Sequence, residues 1–225
     1  MQQLVDQINS YVWSPALVYL CLAAGLTFSI LTRFVQVRLF KEMIRLLFSS
    51  KESDQGISSF QALSVSLSGR VGTGNIAGVA AAIGFGGPGA VFWMWVVAFL
   101  GSATAYVESA LGQIYKEEDE GQYRGGPAYY IEKAMGQKWY AWIFALTTIV
   151  AVGVLLPTVQ SNAIGNAVEL AVGTNGMLQT GFGDLSFTKL ATALIVVAVL
   201  GIIIFGGVKR IAHFTQIVVP FMALG

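Results

Sequence analysis

The chain has 225 residues, of which 55% are hydrophobic and only 11% charged, with a net charge of +1 and a mean hydropathy of +0.68. A soluble domain carries about 25% charged residues, so there is too little polar surface here to coat a water-soluble globule, and the composition points to an integral membrane protein. The charge balance implies no nucleic-acid partner, and the single cysteine, Cys21, excludes an internal disulfide framework or a cysteine-based zinc site.

The first ten residues hold no Lys or Arg, so no cleavable signal peptide is expected. A first span is predicted at about residues 12–32, since a bilayer crossing takes roughly 20 residues at 1.5 Å rise each. Residues 33–48, RFVQVRLFKEMIRLLF, mix Arg33, Arg38, Lys41 and Arg45 with Phe34, Val37, Phe40, Ile44 and Phe48. That mixture predicts an amphipathic helix in the inner interface, the leading part of a cytoplasmic segment covering 33–60. Its basic residues serve topology or a specific lipid contact.

The next apolar stretch, 61–87, contains LSVSLSGRVGTGNIAGVAAAIG. Its centre fits the glycine pattern of a dinucleotide turn, but that fold needs an acidic residue about 20 positions on. There is no Asp or Glu from Val71 to Val107. The alternation of Leu63, Val65 and Leu67 with Ser64, Ser66 and Ser68 suits a strand or the small-residue face of a membrane helix. Gly69, Gly72, Gly74 and Gly78 are poor helix formers in the middle of a span. A break there frees backbone groups that lipid cannot satisfy, as in the discontinuous helices of secondary transporters. The alternative is a straight helix whose glycines only permit tight packing.

A third span is expected at 88–114. Trp93 and Trp95 inside it suit packing against lipid or neighbouring helices, and Glu108 is either a functional ionisable group, an interfacial residue or a partner for Arg70. The acidic run Glu117–Glu120 reads as a solvated loop, and Gly125, Gly126 and Pro127 as turn formers. A long fourth span at 139–173 carries Pro157 and Gln160, and a fifth covers 187–207. A sixth begins near Ile211 and runs to Gly225 without a cap, so a truncated chain is expected. His213 reads as an interfacial residue rather than a proton relay.

Basic residues favour the cytoplasmic side. Arg33, Arg38, Lys41, Arg45 and Lys51 follow the first span; Lys116, Arg124, Lys133 and Lys138 follow the third; Lys209 and Arg210 follow the fifth. These are eleven of the thirteen, leaving Arg70 and Lys189. The N-terminus is therefore expected outside a cytoplasmic (inner) cell membrane.

Residues 86–101, GGPGAVFWMWVVAFLG, resemble the signature of the alanine or glycine:cation symporter family. SGRVGTGNIAG before it, YRGGPAYYIEKAMG at 123–136 and GGVKRIAHFTQIVVPFMA at 206–223 extend the resemblance over most of the chain. The resemblance implies an all-α integral membrane protein with the inverted-repeat (LeuT-like) transporter fold. The chain would hold one extra N-terminal helix and the first five-helix repeat, with 61–87 as its broken helix and the C-terminal repeat missing. It implies sodium as coupling ion, alanine or glycine as substrate, and neither a cofactor nor enzymatic chemistry. Half a pseudosymmetric carrier is expected not to transport alone.

On that mapping the amides of Thr73 and Gly74 receive the substrate carboxylate, and bulkier residues at Gly72 or Gly74 abolish binding. The carbonyls of Ser68 and Val71 match one side of a sodium site, with Asn75 as a side-chain ligand. Gln160 contacts the substrate or makes a helix–helix hydrogen bond. A pore or non-transporting subunit whose glycines serve packing is the alternative function. Nothing in these residues sets an oligomeric state.

Overall fold

The structure is a computed structural model and describes residues 2–49, 56–119, 121–180 and 183–224. Lys51 with the rest of 50–55, Glu120 and Gly225 lie outside the described residues. In chain order the helices begin with α1 (Gln2–Val12), α2 (Pro15–Leu31), α3 (Val35–Arg38), α4 (Phe40–Phe48) and α5 (Ser59–Ser68). A π-helical turn at Gly74–Gly78 leads into α6 (Val79–Gly86), followed by α7 (Gly89–Ile114). A hairpin of β1 (Glu117–Asp119) and β2 (Gln122–Arg124) precedes α8 (Pro127–Met135) and α9 (Lys138–Thr148). A second π-helical stretch, Ile149–Leu155, joins α9 to α10 (Leu156–Val172). The hairpin β3 (Met177–Thr180) and β4 (Gly183–Ser186) then leads to α11 (Phe187–Ile204) and α12 (Gly207–Leu224).

Four helical stretches among the described residues are long and apolar enough to cross a membrane: Gln3–Leu31, Gly89–Ile114, Lys138–Val172 and Phe187–Ile204. Their large side chains face outward, as at Trp95, Ile195 and Val197, which water would penalise and lipid does not. The fully enclosed positions among the described residues are instead small, namely Ser29, Ala103 and Ala212, with Ser64 and Ala141 nearly enclosed. Membrane helices associate in this way, by close backbone approach over small residues.

The chain forms two compact units, one made of 1–46 and 80–141, the other of 47–79 and 142–225. In the first, α2 lies along α7. Gly25 makes this approach possible, because a Cβ there would stand 3.0 Å from the Leu100 Cβ and 3.2 Å from its backbone. One turn on, the buried Ser29 hydroxyl donates to the Gly25 carbonyl at 2.8 Å and accepts from Gln36 Nε2 at 3.1 Å. α3 also rests on α7, with Val35 buried. The amphipathic helix expected over 33–48 is thus two helices, separated at Leu39 after a turn in which Arg33 and Phe34 both take positive φ (54° and 51°).

Glu117–Asp119 of the acidic run form an exposed strand rather than a loop. Arg124 pairs with Asp119 at 2.7 Å and Lys133 with Glu117 at 2.7 Å, so opposite charges set the hairpin against α8. At Tyr130 on α8, burial raises the phenol above the usual tyrosine range, with further upward pushes from Glu108 and Tyr140.

In the second unit α5 lies against α12, with Ser64 buried on one and Ala212, Thr215 and Val219 on the other. α11 pairs with α10 on one side and α12 on the other. The α10–α11 pair is tied by Lys189 to Glu169 at 3.1 Å, both partly shielded, while Ser186 caps the start of α11, its hydroxyl accepting from the Lys189 N–H at 3.2 Å. Within α12, Gln216 Nε2 sits 2.8 Å from His213 Nδ1.

Candidate functional site

α5 starts on a capping box: the Ser58 hydroxyl accepts from the Gln61 N–H at 3.2 Å, and the Gln61 side chain accepts from the Ser58 N–H at 3.1 Å. This reciprocal pair fixes the helix start by satisfying two orphan donors. The helix stops at Ser68 and helical structure resumes at Thr73. Two serines turn their hydroxyls onto the preceding turn, Ser64 to the Phe60 carbonyl (2.9 Å) and Ser68 to that of Val65 (2.7 Å), while Ser66 receives the Arg70 guanidinium. Arg70 also donates to the Ser66 carbonyl at 3.0 Å.

The interruption leaves backbone polar groups open. The N–H groups of Arg70 and Val71 both turn back to the Leu67 carbonyl, at 2.9 and 2.8 Å. Among the described residues no backbone N–H donates to the carbonyls of Gly69, Arg70 or Val71, and none from 69–72 donates to that of Ser68. The N–H groups of Gly72, Thr73 and Gly74 likewise reach no carbonyl of 69–72, and the Thr73 side chain does not cap the turn that follows. Buried from water in a membrane, such groups cost several kcal/mol each unless a partner arrives. Carbonyls offer a cation oxygen ligands, and N–H groups at the start of a helical segment attract an anion.

Gln160 faces this interruption. Its Nε2 lies 3.3 Å from where a Gly72 Cβ would stand, with Cδ at 3.7 Å and Oε1 at 3.9 Å. Gly72 has no left-handed φ, so the demand for glycine is spatial: it admits the amide of Gln160. Nothing stands within 4 Å of a Cβ at Gly74, so the space beside that N–H is open. Ser68, Val71 and Thr73 are half-buried and Asn75 exposed; the Asn75 N–H closes onto the Gly72 carbonyl at 3.0 Å. All seven expected site residues therefore lie in one unit, with the Gln160 amide brought against the glycine turn.

Pro157 explains the position of Gln160. It has no N–H to give the Gly153 carbonyl, and its ring would crowd that carbonyl. The chain answers with the wider π-turns of Ile149–Leu155, and the Thr158 hydroxyl donates to the Val154 carbonyl at 2.7 Å. Such bulges recur at functional sites. The sequence reading finds Gln160 from its polarity beyond Pro157 but does not anticipate either π-helical stretch. It also passes over Glu169, whose only signal is an acidic residue near the end of an apolar span.

A chain with four membrane-crossing helical stretches, a small-residue interior and an outward apolar surface is a multi-pass membrane protein. Comparison with known proteins is more specific. The profile of the sodium:alanine symporter family matches residues 1–225, and the chain belongs to that family, which is one of transporters rather than enzymes. It is 55% identical over its whole length to YrbD of Bacillus subtilis (strain 168), provisionally named a sodium/proton-dependent alanine carrier protein. It is 44% identical over its whole length to GlnT of the same organism, provisionally a sodium/glutamine symporter. Over 183 residues, 81% of the chain, it is 45% identical to the sodium/proton-dependent alanine carrier protein of Bacillus sp. (strain PS3). The chain spans 44%, 45% and 38% of these relatives' own lengths.

Proposed function

We propose that the full-length protein is a sodium-coupled symporter of small neutral amino acids, alanine or glycine, in the cytoplasmic membrane. In this reading the N-terminus is outside and the chain supplies an extra helix followed by the first repeat of an inverted-repeat fold. The observation that carries it is the interruption at 69–72, whose backbone groups are open and beside whose Gly72 the Gln160 amide stands. The free N–H groups of Thr73 and Gly74 receive the substrate carboxylate, and the carbonyls of Ser68 and Val71, with the Asn75 side chain, supply oxygen to sodium. Gln160 then holds the zwitterion from the facing helix. Ion and substrate each pay for part of the ordering the other needs, so binding of one favours the other. Higher identity to the alanine-named YrbD than to the glutamine-named GlnT supports the smaller substrate.

The test is uptake of labelled alanine into proteoliposomes of the full-length protein, with sodium or potassium outside. Saturable, concentrative uptake in sodium alone is expected; uptake that ignores sodium and never saturates would mean a pore. Gln160→Ala is expected to raise the KM for alanine about 10-fold, the loss of one hydrogen bond to a charged group at roughly 1.5 kcal/mol. An unchanged KM with a lowered melting temperature would instead assign Gln160 to helix–helix bonding.

A further inference from the structure

We propose that the turn between α2 and α3 is a seat for the phosphate headgroup of an anionic phospholipid. A cleft of 410 Å³ opens there, lined by Leu31, Thr32, Arg33, Val35, Arg38 and Tyr106. Its size is within the about 300–1,000 Å³ typical of small-ligand clefts. The chain builds it by turning through Arg33 and Phe34, both at positive φ, and then resuming one helical turn over Val35–Arg38. That path brings two arginines five positions apart to a single cleft. Val35, buried at 6% exposure, holds the turn down against α7, which contributes Tyr106.

The charge of the cleft is uncommitted. Among the described residues neither Arg33 nor Arg38 has an ion-pair partner, whereas Arg45 on the next helix is taken by Glu42 and Arg124 by Asp119. The carbonyl end of α2 disfavours an anion, but only by about half an elementary charge. Two guanidiniums outweigh it and offer planar forks that match phosphate oxygens. The phenol of Tyr106 adds a neutral donor.

The surroundings select a lipid over a free anion. The cleft adjoins the end of the stretch Gln3–Leu31, which is long and apolar enough to cross a membrane, and the end of a span meets the headgroup layer. Leu31, Phe34, Val37 and Phe40 are exposed around and beyond it, giving acyl chains an apolar surface beside the cationic seat. Soluble phosphate gains nothing from that rim. The inference rests on the membrane assignment and not on the transport reading.

The experiment is native mass spectrometry of the purified full-length protein offered phosphatidylglycerol and phosphatidylcholine in equal amounts. Wild type is expected to retain phosphatidylglycerol several-fold over phosphatidylcholine, and Arg33→Gln/Arg38→Gln to lose that preference. Lys209→Gln/Arg210→Gln, which removes the same charge elsewhere, should keep it. If the glutamine pair does not fold, Arg33→Lys/Arg38→Lys decides, since it keeps the charge and removes the forks; a clear drop in retention is expected. Retention unchanged in the arginine variants, or lost equally in the Lys209/Arg210 variant, overturns the proposal. So does displacement of the bound lipid by millimolar inorganic phosphate, which would mark a site for the free anion.

Discussion

Replacing Gly72 with leucine in the full-length protein is expected to reduce sodium-driven alanine uptake by about 100-fold, the equivalent of two lost charge-assisted hydrogen bonds at about 1.5 kcal/mol each. Alanine at this position is milder. Its Cβ meets the Gln160 amide at 3.3 Å, and the end of a flexible side chain gives by a few tenths of an ångström. The extra carbons of leucine fill the space the amide occupies, so Gln160 is expelled and the open N–H groups beside it are covered. The backbone itself is untroubled, since Gly72 needs no left-handed φ. Gly69→Ala is the internal comparison: its Cβ meets nothing nearer than the Ser66 carbonyl at 3.8 Å, and near wild-type uptake is expected. Wild-type uptake in Gly72→Leu, with the variant monodisperse and membrane-inserted, would remove the glycine turn from the transport site.

Gly25→Leu is expected to be the most damaging change to stability. A side chain there meets the Leu100 Cβ at 3.0 Å and the Leu100 carbonyl carbon and oxygen at 3.2 Å. Backbone cannot rotate aside as a side-chain terminus can, so α2 must move off α7. That separation also disturbs Ser29, fully buried one turn away and bonded to Gln36. Overpacking of this kind costs typically about 1–3 kcal/mol, which lowers a melting temperature by several degrees in a protein of this size. Gly101→Leu on α7 is the matched control, because nothing stands within 4 Å of its Cβ. Leucine there should leave the melting temperature unchanged or slightly raised, leucine being the better helix former. Equal melting temperatures for the two variants would mean that α2 and α7 are not held by this contact.

Membrane character was legible before any coordinates, because an 11% share of charged residues leaves no way to coat a water-soluble surface. The family signature was legible too, carried by the glycine and tryptophan blocks around residues 86–101 and by three further motifs. Glycines at 69, 72, 74 and 78 marked the place where a helix is hard to sustain, since glycine's cost to a helix is local and can be read residue by residue.

Tertiary structure decided the rest. That Gly72 is tight while Gly74 is open depends on a side chain 88 positions away, Gln160, and no local propensity encodes such a distance. The π-helical stretches lie within the glycine run and just before Pro157, and a period of 3.6 residues does not foresee them. The arginine cleft likewise needs the left-handed turn at Arg33 and Phe34, a conformation that side-chain identity disfavours and that packing of Val35 against α7 sustains. Apolar content and glycine placement, being additive along the chain, set the medium and the breakpoints; the site and the cleft arise from distances between segments far apart in sequence.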